Sequence, residues 1–428
     1  MNNRITLSLS LLFSVCMLDA QLSKKEKQII SIVSENNKEA LEFLETNVNI
    51  NSGTMNFEGI KATADQMEKA FQEIGMTTTW YDMPKEVNRA GHLFAENKGN
   101  KGKRLLLIGH LDTVFPKDSP FQKWVQQDSI VMGPGANDMK GGNVVMLYAL
   151  KALQEAGVLK NAQIVVALHG DEEASGKPIS ESRKHIIEAA KRSDIALGFE
   201  TSTGFNNATV ARRGSSGWSL KVNGKRAHSS GIFNENVGAG AIFETARILH
   251  QFYTEVKGEE YLTFNPGVIL GGTKVDFDKV LTRGAAFGKT NVVAQEVIVE
   301  GGLRFISEDQ KERAREKMKA IVANNLPNTS AEITFIDSYP AMPPTEGNEA
   351  ILNTLSEVSE DMGHGKVAAW DPGRRGAADI SFVAQYVDGV DGLGTMGRGA
   401  HTPDEYLDLR TFEALTQRAA LLIYRLTR

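Results

Sequence analysis

Three short apolar runs constrain the fold of this chain more than any other feature: Leu105-Leu-Leu-Ile108, Ile164-Val-Val-Ala-Leu168 and Ile195-Ala-Leu-Gly-Phe199. Each is too short for an ordinary helix and lacks a polar alternation. Such runs read as strands buried on both faces, the pattern of a mainly parallel sheet covered by helices. Helical periodicity at residues 59–74 and an apolar helical run at residues 144–153 supply covering layers, so the expected class is α/β. Each run is followed by groups that can do chemistry: His110 and Asp112 after the first, Glu172 and Glu173 after the second, Glu200 after the third. Ligands of open α/β sheets bind just beyond the carboxyl ends of the strands.

With 428 residues the chain is expected to hold two domains. A formal charge of -5 and a sequence pI near 6.0 give no basis for nucleic-acid or anionic-membrane binding. The first twenty residues read as a secretion signal: Arg4 precedes an apolar run of the length of a signal h-region, and Asp19-Ala20 precedes the expected cleavage point. Lipoprotein-type processing at Cys16 is the competing reading, with an N-terminal amphipathic helix as a third. The expected location is secreted or periplasmic. Removal of the signal takes away the only cysteine, leaving His and carboxylates as metal ligands.

Taken singly, the polar residues at the strand ends are ambiguous. His110-Leu-Asp112 is either a metal ligand with a carboxylate that orients it or a structural pair. Asp138, in Gly133-Pro-Gly-Ala-Asn-Asp-Met-Lys-Gly-Gly142, is either a metal-bridging carboxylate or a helix N-cap. That loop lacks the Gly-Lys-Ser/Thr ending of a phosphate-binding loop. The adjacent Glu172 and Glu173 divide into base and ligand beside a cation, and mean nothing on a solvated loop. His401 lies in a further glycine-containing loop, Gly397-Arg-Gly-Ala-His401. Two His and three carboxylates at strand ends and glycine loops can hold two divalent ions with one carboxylate shared. Such N/O ligation suits Zn²⁺, with Co²⁺ or Mn²⁺ as alternatives, and paired metals with a bridging water perform hydrolysis.

These motifs together resemble the M20 metallopeptidases, a family that includes glutamate carboxypeptidases, aminoacylases and succinyl-diaminopimelate desuccinylases. The resemblance rests on His110-Leu-Asp112, Gly135-Ala-Asn-Asp-Met-Lys-Gly-Gly142, Asp171-Glu-Glu173, Glu200 and His401, and spans nearly all of the chain after the signal. It implies a zinc-peptidase-type catalytic domain with a mixed, mainly parallel sheet over residues 21–212 and 326–428. It implies one metal on His110 and Glu200, the other on Glu173 and His401, and Asp138 between them. Glu172 would be the general base and Asp112 the orienter of His110.

Residues 213–325 change character and are expected to form an inserted α+β domain, with strand alternation at Trp218, Leu220 and Val222 and helical patterns at 238–253 and 308–322. In relatives of this family the insert is a lid and dimerisation domain, which implies a homodimer. The resemblance gives His228 the role of oxyanion stabiliser and gives Asn291 and Arg304 substrate-holding roles; a surface-turn histidine and a strand-edge salt bridge are the plainer readings of His228 and Arg304. Arg374 and Arg375, in a small-residue loop before an expected helix, are either substrate contacts or solvent-exposed. The expected function is metal-dependent hydrolysis of an amide bond in a small peptide or N-acyl amino acid, most like a glutamate-carboxypeptidase-type enzyme. An aminoacylase or dipeptidase is the alternative within the family, and a catalytically silent metal-binding protein the alternative outside it.

Overall fold

A computed structural model describes residues 22–279 and 281–428. The expected signal segment and Cys16 lie outside the described residues. Helix Lys24–Val48 starts the described chain with a reciprocal cap: Ser23 Oγ accepts the Glu26 N–H, and the Glu26 carboxylate accepts the Ser23 N–H. Among the described residues no helix is long and apolar enough to cross a membrane.

The central sheet has six strands in the order Thr77–Asp82, Gly91–Lys98, Ala162–His169, Lys101–His110, Ile195–Gly198, Gly389–Val390. The last four run parallel, and the first two form an antiparallel hairpin that pairs antiparallel with Ala162–His169. The sheet is therefore mixed and mainly parallel. Its central strand shows why the apolar run has no polar alternation. Leu105 and Leu107 enter one buried cluster, with helices Lys24–Val48, Lys140–Glu155 and Leu409–Leu426; Leu106 and Ile108 enter another, with Ile186, Ala189, Ile380 and Val383. Both faces are covered, so both sets of alternating side chains must be apolar.

Register then fixes the site. His110 pairs with His169 across one neighbour, and Ile108 pairs with Gly198 across the other. His110, His169 and the start of the Glu200 loop thus leave the sheet along one edge. Helix Lys140–Glu155 packs against that edge through Gly142, where a Cβ would come within 2.0 Å of the Phe199 carbonyl oxygen. Only glycine permits this approach, which brings the Asp138 loop beside Glu200.

The inserted domain is a four-stranded antiparallel sheet, ordered Thr263–Gly272, Glu296–Phe305, Gly214–Gly224, Thr329–Asp337. Trp218, Leu220, Val222, Val297 and Val299 pack against Ile248 and Phe252 from the first helical segment and Met318 and Val322 from the second. These helices, Gly240–Gln251 and Glu308–Ala323, agree with the periodicity read from the sequence. The expected return to the first domain at residue 326 is one strand too early. Thr329–Asp337 is an edge strand of the small sheet, with partly buried Ile333 and Phe335 packed on its core. The expected helix after the Arg374–Arg375 loop is a single 3₁₀ turn, Asp379–Phe382.

Candidate metal centre

Five elements deliver the site. His110 ends its strand, Asp138 precedes helix Lys140–Glu155, and Glu172 and Glu173 follow strand Ala162–His169. Glu200 follows Ile195–Gly198, and His401 lies between strands Gly397–Arg398 and Tyr406–Asp408 with a backbone φ of 67°. The Asp138 carboxylate divides between the two histidines. Its Oδ1 lies 3.3 Å from His110 Nε2, and its Oδ2 lies 3.3 Å from His401 Nε2. Glu200 Oε1 is 3.7 Å from His110 Nε2, and Glu173 Oε2 is 3.0 Å from His401 Nε2. Ligating atoms of His110, Glu172 and Glu200, and those of His110, Asp138 and Glu173, lie within 4.8 Å of one another.

The electrostatics are those of a cation site. Burial pushes the Glu172 carboxyl well above the usual range, and burial with the nearby Asp138 charge raises Glu200 to about 7. His401 is raised to about 11 by its hydrogen bonds to Asp138 and Glu173. His110 is 1 % exposed, and its Nε2 makes no well-directed hydrogen bond although carboxylate oxygens of Asp138 and Glu200 stand 3.3 and 3.7 Å away. A buried ring nitrogen without a well-directed bond, facing several carboxylates, fits a metal ion rather than a salt-bridge network.

Asp112 faces the His110 ring and has a second role as well. The Nδ1 of His110 lies 3.0 Å from the Asp112 backbone carbonyl and 3.5 Å from its carboxylate. The carboxylate also accepts the Glu172 N–H at 3.0 Å, the Glu173 N–H at 3.1 Å and the Thr54 hydroxyl at 2.6 Å. Asp112 therefore holds the Glu172–Glu173 turn, while its main chain aims the histidine.

The insert residues stand apart from this cluster. His228 is exposed, and its Nδ1 pairs with the Ser230 hydroxyl at 2.8 Å. The next residue, Ser229, donates its N–H to the Asn291 carbonyl at 2.9 Å, so His228 and Asn291 share one edge of the insert. Among the described residues no hydrogen bond links either side chain to the carboxylate cluster. Arg304 lines a recess of ≈ 290 Å³ with Arg213, Arg374 and Arg375.

Several site-shaping residues gave no signal in the sequence. Glu405 is 1 % exposed and accepts the N–H groups of Gly135, Asn137 and Asp138 at 3.3, 2.9 and 3.0 Å. Arg183, fully buried, bridges Asp171 at 2.6 Å and Asp379 at 2.8 Å, and Asp379 also pairs with His169. The Tyr339 hydroxyl donates to the Glu172 carbonyl at 2.7 Å.

Fold and site define a metal-dependent hydrolase of the α/β class. The chain belongs to peptidase family M20/M25/M40, whose profile matches residues 106–425, and that family comprises metallopeptidases. It is similar to carboxypeptidase G2 of Pseudomonas sp. (strain RS-16), at 27 % identity over 418 residues, covering 94 % of this chain and 93 % of that protein. Aminopeptidase PepT from Bacillus cereus superposes with a TM-score of 0.72 at 18 % identity, covering 92 % of this chain and 99 % of that one. The YXEP protein of Bacillus subtilis, described as a dinuclear metal binding peptidase from the M20 family, superposes at 0.63 with 15 % identity, over 92 % and 99 % of the two chains. One of these relatives is called a carboxypeptidase and another an aminopeptidase, so membership defines the chemistry and leaves the specificity to the pocket.

Proposed function

We propose that this protein hydrolyses an amide bond in a small peptide or N-acyl amino acid, as a carboxypeptidase of the glutamate-carboxypeptidase type. The observation that carries the reading is the division of Asp138 between His110 and His401, with the carboxylate of Glu172 close by and uncommitted. His110, Glu200 and Asp138 would hold one divalent ion and Asp138, Glu173 and His401 the other, with Zn²⁺ as the proposed metal. When bound, such a pair polarises a carbonyl and acidifies water.

The chain's own groups do the rest. Among the described residues no hydrogen bond occupies the Glu172 carboxylate, and burial raises its proton affinity. It is suited to take a proton from the attacking water and return it to the departing amine. Asp112 keeps it in place through its backbone N–H. A silent binding site would have no use for an uncommitted carboxylate beside the reaction centre. Folate-type glutamates, dipeptides and N-acyl amino acids, assayed with and without chelator, test the reading. Chelator-sensitive release of the C-terminal residue supports it; no turnover of any of them by fully metal-loaded protein overturns it.

Two companion proposals concern setting. The N-terminal pattern supports export, checked by the mature N-terminus of protein recovered outside the cytoplasm. Exposed Ile242 and Phe243 on helix Gly240–Gln251, with Phe233 packed on Phe243 at 5.5 Å between ring centroids, support a homodimer through the insert. Its check is the mass in solution.

A further inference from the structure

The peptide that joins Glu172 to Glu173 has the uncommitted carboxylate on one side and a metal-ligand carboxylate on the other. Both of its polar atoms are held. Asp112 accepts the Glu173 N–H at 3.1 Å, and the Tyr339 hydroxyl donates to the Glu172 carbonyl at 2.7 Å. Asp112 follows the central strand Lys101–His110 and so belongs to the first domain. Tyr339 comes from elsewhere. It lies two residues beyond strand Thr329–Asp337, on the segment by which the chain leaves the insert. Pro340 keeps the backbone before it out of the helical region. The next two residues enter different cores: Ala341 that of the insert, Met342 that of the first domain beside Leu106 and Ile108. Arg212 and Met342 exchange backbone hydrogen bonds at 2.9 and 3.0 Å, and the Ser215 N–H donates to the Tyr339 carbonyl at 2.8 Å. The two crossings between the domains are thereby tied together. The Tyr339 ring rests on Phe382 at 4.9 Å between centroids.

Proton counting gives the hydrogen bonds their direction. A carbonyl oxygen can only accept, so the single Tyr339 hydroxyl proton goes to Glu172. The Ser175 hydroxyl, 2.6 Å from the Tyr339 oxygen, must then donate to it, and Arg183 Nη2 donates to Ser175 Oγ at 2.9 Å. A chain thus runs from a fully buried guanidinium through two hydroxyls to the peptide between the two glutamates. Each link polarises the next and strengthens it. Ser175 alone would satisfy the phenol; the bond to Glu172 commits its only proton to the turn.

We propose that Tyr339 is a positioning residue for Glu172, fixing the peptide plane that aims the Glu172 side chain into the reaction centre. This rests on the amide-hydrolase reading. Asp112 grips the N–H side of that peptide and leaves its carbonyl side to Tyr339. Glu173 has a further anchor in His401, at 3.0 Å, whereas among the described residues no hydrogen bond occupies the Glu172 carboxylate. Freedom gained by the turn therefore falls on the base more than on the ligand. A shift of about 1 Å at a reacting group can cost about 10²-fold in rate. Tyr339 touches no reacting atom and acts through Glu172, from the segment that carries the insert.

Tyr339→Phe keeps the ring on Phe382 and removes one proton donor. On the metal-loaded full chain, with an amide that the wild type turns over, kcat should fall by at least ~10-fold while KM stays within ~3-fold. The same change made in Glu172→Gln should alter the residual rate by less than ~3-fold, because nothing is left to position. A tyrosine with a merely structural role would lower both backgrounds alike. Hydrogen exchange on the same preparations is the readout independent of turnover: amides of residues 171–176 should exchange ~10-fold faster in Tyr339→Phe, with helix Lys140–Glu155 unchanged. Unchanged kcat, equal losses in the two backgrounds, or unchanged exchange overturns the proposal and leaves the hydrolase reading intact. If the wild type turns over no amide, the hydrolase reading falls and exchange alone decides. Faster exchange confined to residues 171–176 then supports the hold of Tyr339 on the turn, and unchanged exchange overturns it.

Discussion

The carboxylate of Glu405 accepts the backbone N–H of Asp138 at 3.0 Å. Glu405 stands four residues after His401, so one side chain ties the two loops that meet at the metal centre. It also accepts the N–H groups of Gly135 and Asn137. Glu405→Ala leaves three buried donors without a partner, at about 1–3 kcal/mol each. The expected result is loss of bound metal on dialysis together with a lower melting temperature. Glu405→Gln, which keeps one acceptor oxygen, should fall between the two. Metal content measured beside the melting curve checks this. Full metal retention in Glu405→Ala would show that the Asp138 loop holds its shape unaided.

Glu172 and Glu173 adjoin in sequence and differ in attachment. Glu173 Oε2 lies 3.0 Å from His401 Nε2, whereas the Glu172 carboxylate has no hydrogen bond among the described residues. Glu172→Gln is expected to keep its metal and lose about 10²–10⁴-fold in turnover, the usual worth of a positioned acid–base group. Glu173→Gln should lose metal affinity as well as turnover. Metal titrations and initial rates on the same preparations separate the two. Near-normal turnover in Glu172→Gln would remove its role as base.

Beneath that pair, Arg183 is clamped between Asp171 and Asp379 with no solvent exposure. Arg183→Met removes the guanidinium shared by two buried carboxylates, leaving Asp379 with His169 and Asp171 with the Gly176 N–H and the Ser182 hydroxyl, a loss of up to about 3–5 kcal/mol by comparison with broken buried ion pairs. Because Asp171 directly precedes Glu172, the damage should reach the site. The expected outcome is a lower denaturation midpoint with reduced activity, restored in part by a second change, Asp379→Asn, that removes one of the stranded charges. Urea titration of the single and double variants measures it.

How much of this was legible beforehand differs by residue for physical reasons. The run from Leu105 to Ile108 announces a strand covered on both faces because burial alone dictates its composition. His110, Asp138, Glu173, Glu200 and His401 announced themselves by residue type at strand ends and in glycine loops. Glu405 and Arg183 did not, since their partners are backbone amides, or carboxylates up to 196 positions away, that only the fold brings near. Asp112 was visible as a partner of the His110 ring, which its carbonyl and carboxylate both face, whereas its hold on the Glu172–Glu173 turn was not, because that loop lies some sixty positions away. The Thr329–Asp337 strand was missed for another reason. It is an edge strand, largely exposed, with Ala331, Ile333 and Phe335 only partly buried on the small core. The four-arginine recess joins Arg213 to a loop 160 positions later, which no local pattern reports.

His92 gives a prediction in which the sign of the pH dependence can be worked out. It is fully buried; its Nδ1 accepts the Gly170 N–H at 3.1 Å, and its Nε2 donates to the Ser182 carbonyl at 2.9 Å. That pairing admits only the neutral ring, because a proton on Nδ1 would face an N–H. Burial, and then the neighbouring His169, lower its pKa to about 3 from an ordinary value near 6.5. Above pH 6.5 neither the folded nor the unfolded chain protonates it, and its contribution is constant. As pH falls below 6.5 the unfolded chain takes a proton that the folded chain refuses, so stability declines by about 1.4 kcal/mol per pH unit until the folded ring also titrates near 3. His92→Gln can keep both hydrogen bonds and cannot bind the proton. Its stability should fall less steeply than the wild type's between pH 6 and pH 4, by about one proton's worth of slope. Urea midpoints at half-unit intervals, on chelator-treated protein so that metal release makes no contribution, provide the measurement. Parallel slopes for the two proteins would show that His92 is not the group that resists protonation.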